Sequence, residues 1–139
     1  MTLLVVACDG ASRGNPGPAG AGVRIETPEG AVVREIARGL GETTNNVAEY
    51  EAVILGLEGA AAAGADEVIL RSDSQLLVNQ LLGRYRVRSA HLRPLHARVV
   101  ELADRFDRVR FEHVPRERNR DADRLANEGV DAWLAGHDR

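Results

Sequence analysis

With 139 residues, 44% hydrophobic and 28% charged, the chain has the size and composition of one folded domain, which excludes a disordered or fibrous protein. No apolar run approaches the roughly 20 residues that span a bilayer. Residues 2–7 are too few, and lack the basic leader, for a signal segment, so the cytoplasm and no membrane association are expected. The single cysteine, Cys8, rules out an internal disulfide and suits that compartment.

The net charge of −3 argues at first sight against a nucleic-acid partner, but its distribution reverses that. Every cationic side chain is Arg, and two groups stand out in the second half. One is Arg84, Arg86, Arg88, Arg93 and Arg98; the other is Arg116, Arg118, Arg120 and Arg124. A guanidinium presents a fixed fork of donors that matches phosphate oxygens.

In chain order, residues 3–8 form an apolar run short enough for a buried strand, and residues 9–20, rich in Gly and Pro, are expected to form an ordered loop. Residues 21–26 and 31–38 read as strands of a hairpin joined by Thr27-Pro28-Glu29-Gly30. Helical periodicity covers 46–63, with Val47, Tyr50, Ile54, Leu57 and Ala61 on one face. A short strand at 67–71 precedes helices at 74–82 and 92–106, where Pro94 fits a first turn. A last strand at 109–114 leads to a last helix at 121–134. The order β-β-β-α-β-α-α-β-α predicts an α/β fold with a mixed five-stranded sheet and helices on both faces. Sites in such sheets gather beyond the carboxyl ends of the parallel strands.

Four acids fall where that edge is expected. Asp9 follows the first strand and Asp73 stands two residues after the fourth. Glu49 lies near the start of the long helix, on a stripe of small residues, Ala52, Gly56 and Ala60, that lets the helix approach the sheet closely. Asp123 opens the last helix on a stripe with Ala126 and Val130. Each acid alone is equally served by turn, cap or helix-dipole chemistry. Four together would repel unless cations joined them, and an open oxygen-rich site suits Mg²⁺ or Mn²⁺. Two such ions about 4 Å apart can drive phosphodiester hydrolysis. No Cys/His cluster points to zinc, no phosphate-cradling Gly-Lys loop to a nucleotide, and no Ser-His pairing to a covalent nucleophile.

Assembled in order, these segments resemble type 1 ribonuclease H over essentially the whole length. They are Asp9-Gly10-Ala11-Ser12-Arg13-Gly14-Asn15-Pro16-Gly17-Pro18-Ala19-Gly20, Thr44-Asn45-Asn46-Val47-Ala48-Glu49, Ser72-Asp73-Ser74-Gln75 and Asn119-Arg120-Asp121-Ala122-Asp123-Arg124-Leu125-Ala126. The resemblance implies a single ribonuclease H domain over 1–139 that cuts the RNA strand of RNA–DNA hybrids and leaves 5′-phosphate and 3′-hydroxyl ends. It implies Asp9, Glu49, Asp73 and Asp123 as catalytic and metal-binding acids for two Mg²⁺ ions, with Mn²⁺ able to substitute. By that analogy Asp9 bridges both ions, Asp123 helps hold one, and Glu49 and Asp73 hold the other. Asn15, Asn45, Asn46 and Gln75 correspond to substrate contacts whose amides can reach base edges and the 2′-hydroxyl that separates RNA from DNA. The Asn residues equally suit turns and caps.

Two departures from the family pattern stand out. The segment Pro115-Arg116-Glu117-Arg118-Asn119 is short and lacks the loop His that some members carry, which leaves Arg116 or Arg118 as candidate phosphate contacts in its place. His113 is expected at the end of the last strand, in a structural or surface role. Residues 83–91 are too few for the long basic protrusion of some members, so weaker hybrid binding is expected, with Arg84, Arg86 and Arg88 as its remnant. Cys8 is expected to be a buried thiol and Trp133 a packing residue. A monomer with no obligate protein partner is expected, since no apolar heptad or long apolar edge strand stands out.

Overall fold

The computed structural model describes residues 2–137; residues 1, 138 and 139 of the expected domain lie outside it. The strands are β1 (Leu3–Ser12), β2 (Gly17–Glu26), β3 (Val32–Thr43), β4 (Glu67–Ser72) and β5 (Arg108–His113). The helices are α1 (Asn45–Ala62), α2 (Gln75–Leu81), α3 (Arg93–Ala103) and α4 (Arg120–His137), with a 3₁₀ turn at Arg116–Arg118. The strands lie in the order β3-β2-β1-β4-β5. β1 is antiparallel to β2 and β2 to β3, whereas β4 runs parallel to both β1 and β5.

This is the predicted element order, with longer first strands. The segment 9–20 is mostly strand, since β1 continues to Ser12 and β2 begins at Gly17; only 13–16 connect them. β3 likewise runs on to Thr43. Packing explains why glycines sit inside a ladder. A Cβ on Gly22 would overlap the backbone of Ala122 and Ala126 in α4, and one on Gly10 the backbone of Ala48 and Glu49 in α1. At Gly10 local composition signals a turn, whereas close helix approach requires small residues in a strand.

α1 lies on one face of the sheet and α4 on the other. Gly56 of α1 rests against Val6 and Val23, its Cβ position being 2.7 Å from Val6 Cγ1. Ala52 and Ala60 are fully buried beside it, as their stripe predicts. Tyr50, Ile54 and Leu57 of the expected face are buried, whereas Ala61 is exposed; α1 is also covered by α3 on its other flank and buries Val53 there. Between α1, α2 and α3 the hydroxyl of the buried Tyr50 donates to Gln80 Oε1 at 2.6 Å. Burial, with Glu49 nearby, pushes that phenol up to about 12. On the opposite face Ala122, Leu125, Ala126 and Val130 form the buried stripe of α4. Trp133 packs against Gly39, consistent with a packing role. Among the described residues no helix is long and apolar enough to cross a membrane.

Candidate active site

The parallel strands β1 and β4 deliver two acids to one edge. Their pairing ends at Ala7 and Arg71, and just beyond it come Asp9, still within β1, and Asp73, just after β4. α1 begins beside them because Thr44 caps it, its hydroxyl accepting the Val47 N–H at 3.3 Å. Gly10 lets the first turn of α1 lie directly on β1, which brings Glu49 over the strand end. α4 brings Asp123 from the opposite face.

The four acids share one open cavity of about 440 Å³, lined also by Gly10, Ala11, Ser12, Asn45, Arg116 and Asn127. Asp9 lies deepest, 8% exposed. Burial pushes its carboxyl up to about 8, helped by the charge of Asp73, a hydrogen bond with Asp123, and the charges of Asp123 and Glu49. Glu49 is also raised, first by burial and then by Asp73, while hydrogen bonds from Ser74 and Asn45 pull it back. The Asn45 amide donates to Glu49 Oε1 at 2.8 Å.

A pocket of acids that retains a proton near neutrality is one that a cation can stabilise in the proton's place. Among the described residues no three acidic, His or Cys side chains form a ready-made metal cage. The carboxylates lining the cavity are nonetheless an all-oxygen donor set, the ligand type of hard divalent cations.

The other sequence-predicted residues distribute around this cavity. Asn45 lines it, whereas Asn15 and Asn46 line a neighbouring groove of about 410 Å³ with Thr43, Thr44, Ser89 and His91. Asn15 also serves the helix start, its Oδ1 accepting the Asn45 N–H at 3.1 Å. Gln75 lines a separate groove with Asn79, Arg84 and His113. Arg116 faces the acids; Arg118 lies instead in a small recess with Arg24, Arg71 and Asn119. His113 ends β5 and is exposed, with its ring Nε2 3.3 Å from the Asp73 carbonyl. Cys8 is a buried free thiol, with its pKa raised by burial and by the neighbouring acids.

Three residues were not singled out from sequence. Ser12 sits among carbonyls of the first connection, 2.9 Å from Thr43 O. Arg13 reaches α4, pairing with Asp131 at 2.7 Å and lying 3.4 Å from Asn127 Oδ1. Asn127 in turn donates to the Asp123 carbonyl at 3.0 Å. The signal for Asn127 was available, since it stands one helical turn beyond Asp123 on the same stripe.

A mixed sheet of this order, with acids converging past the ends of its central strands, defines a domain of the ribonuclease H class. The chain matches the Reverse transcriptase-like family over residues 7–129. It is 47% identical over 123 residues to the Ribonuclease HI of Halobacterium salinarum, covering 88% of this chain and 62% of that protein. It is 45% identical over 130 residues to the Bifunctional protein Rv2228c of Mycobacterium tuberculosis, covering 93% of this chain and 36% of that one. The chain thus spans about a third of the mycobacterial relative and under two thirds of the halobacterial one. Its fold superposes with a TM-score of 0.90 on LC11-RNase H1, solved in complex with an RNA/DNA hybrid, at 42% identity over 94% of this chain and 99% of that one. This chain belongs to the type 1 ribonuclease H family, a family of hydrolases.

Proposed function

We propose that this chain hydrolyses the RNA strand of RNA–DNA hybrids by two-metal-ion catalysis with Mg²⁺, Mn²⁺ being able to substitute, and leaves 5′-phosphate and 3′-hydroxyl ends. The observation that carries this reading is the convergence of Asp9, Glu49, Asp73 and Asp123 on one cavity, where burial and the neighbouring acids raise the Asp9 carboxyl. Asp9, the deepest, together with Glu49, Asp73 and Asp123, would hold the ions. When bound, the ions would activate the attacking water and stabilise the leaving oxygen. The protein's part is positioning: the Asn45 amide steadies Glu49, and the Asn127 amide bonds the Asp123 carbonyl.

The hybrid bound by LC11-RNase H1 supports the same substrate class here. Asn45 stands in the acid cavity, Asn15 and Asn46 in the groove of about 410 Å³, and Gln75 in its own groove, all able to reach 2′-hydroxyls and base edges. Arg116 lines the acid cavity and would contact a phosphate. Arg118, at a distance from the cavity lining, is the weaker of the two candidates. The hybrid is the expected partner of a monomeric, cytoplasmic domain spanning 1–139 with no obligate protein partner. The test is analysis of product ends after cleavage with Mg²⁺ or Mn²⁺. A 5′-phosphate and 3′-hydroxyl support the reading, and a 2′,3′-cyclic phosphate, the mark of attack by the RNA's own 2′-oxygen, refutes it.

A further inference from the structure

We infer that Asn119 is a positioning residue that fixes Asp9 against Asp123 and thereby sets the divalent-cation affinity of the acid cavity. This rests on the reading of that cavity as a metal site. Pairing of β1 with β4 ends at Ala7 and Arg71. One residue further on, the Cys8 carbonyl receives its hydrogen bond from the Asn119 side chain, with Nδ2 at 3.0 Å. The residue after Cys8 is Asp9.

The backbone of the same Asn119 governs the other acid. Its carbonyl accepts the Asp123 N–H at 3.1 Å, in the first turn of α4. Its own N–H bonds the Arg116 carbonyl at 3.0 Å, closing the 3₁₀ turn that carries Arg116 to the cavity. One residue therefore ties together the strand end of Asp9, the helix start of Asp123 and the turn of Arg116, which otherwise arrive from separate elements.

Stability alone does not account for an amide here. Asn119 is 2% exposed, and its Oδ1 is buried without a hydrogen-bond partner among the described residues. An apolar side chain of the same size would remove the orphaned Oδ1 but leave the Cys8 carbonyl unpaired, two opposing effects of similar size, so packing stability alone does not select the amide. What only the amide supplies is the bond to Cys8. Metal sites respond to displacements of about 0.5 Å in their ligands, and loss of an orienting partner costs about 10–100-fold in metal affinity.

The test compares the wild type with Asn119→Leu, of similar size and without polar atoms, and with Asn119→Ala. Mg²⁺ binding is titrated by calorimetry without hybrid, alongside melting temperature and kcat and KM across a Mg²⁺ series. The expected result is Mg²⁺ affinity lowered by ~10-fold or more and activity shifted to higher Mg²⁺. KM for the hybrid at saturating Mg²⁺ stays within about twofold, since the substrate-facing Asn residues are untouched. The leucine variant melts close to the wild type; if leucine fails to pack, the alanine truncation carries the same comparison. Wild-type Mg²⁺ affinity in either folded variant overturns the inference. A wild type that neither binds Mg²⁺ nor cleaves hybrid would instead overturn the metal-site reading on which the inference rests.

Discussion

Replacing Asp9 with Asn is expected to stabilise the metal-free protein while abolishing its activity. The carboxyl's pKa is raised in the fold from an ordinary 3.8 to about 8, with burial the largest cause. For an acid raised in this way the fold keeps a proton that the unfolded chain has released. The Asp9 contribution is therefore intact below the unfolded value and is lost as pH rises from about 4 toward 8. At pH 7 roughly 3 pH units of that window have been crossed, which at about 1.4 kcal/mol per unit sets a ceiling near 4 kcal/mol. Part of the push comes from Asp73, Asp123 and Glu49, which are relieved together when Asp9 is neutral. A gain of about 2–4 kcal/mol is thus expected, or roughly 6–15 °C in melting temperature for a domain of this size. Calorimetry of chelator-treated wild type and Asp9→Asn at pH 7 and near pH 4.5 measures it. The gap should shrink to about 1 kcal/mol or less at the lower pH, and added Mg²⁺ should raise only the wild type substantially. Equal melting at pH 7, or a gap that ignores pH, would refute the reasoning.

Other consequences can be checked in parallel. Gly22→Ala places a methyl group into the backbone of α4 and should destabilise by about 3 kcal/mol or more, read by chemical denaturation. Arg116→Ala should lower kcat/KM on the hybrid by about 10-fold, whereas Arg118→Ala, outside the acid cavity, should stay within about twofold. Equal losses in the two variants would count against the assignment of Arg116. Replacing Arg84, Arg86 and Arg88 together with Ala should flatten the salt dependence of hybrid binding by about 2–3 units of log–log slope if all three contact phosphate. An unchanged slope would remove them from the interface.

The element order was legible because each segment carries a clean period: apolar runs for β1 and β4, a 3.6-residue stripe for α1 and α4. What sequence missed was the length of β1 to β3. Gly10 and Gly20 read as turn residues, yet their glycine character answers close packing that only the assembled fold reveals: Gly10 lies under α1 and Gly20 under α4. The four acids were legible as candidates from position and stripe, and their convergence required the topology that sets β1 beside β4. Ala61 was misplaced: its stripe is buried at Tyr50, Ile54 and Leu57 but exposed by the last turn of α1. The roles of Asn119 and Arg13 were hidden for a different reason. Both act through contacts far along the chain, Asn119 to Cys8 and Arg13 to Asp131, and no local pattern announces a partner more than a hundred residues away.

The most direct test of the proposed activity is cleavage of an end-labelled RNA–DNA hybrid with Mg²⁺, beside RNA–RNA and DNA–DNA duplexes and an Asp9→Asn control. The expected result is metal-dependent cutting of the RNA strand of the hybrid alone, lost in the variant. Hybrid bound but uncut by the folded wild type with either Mg²⁺ or Mn²⁺, or cutting of the DNA duplex, would contradict it.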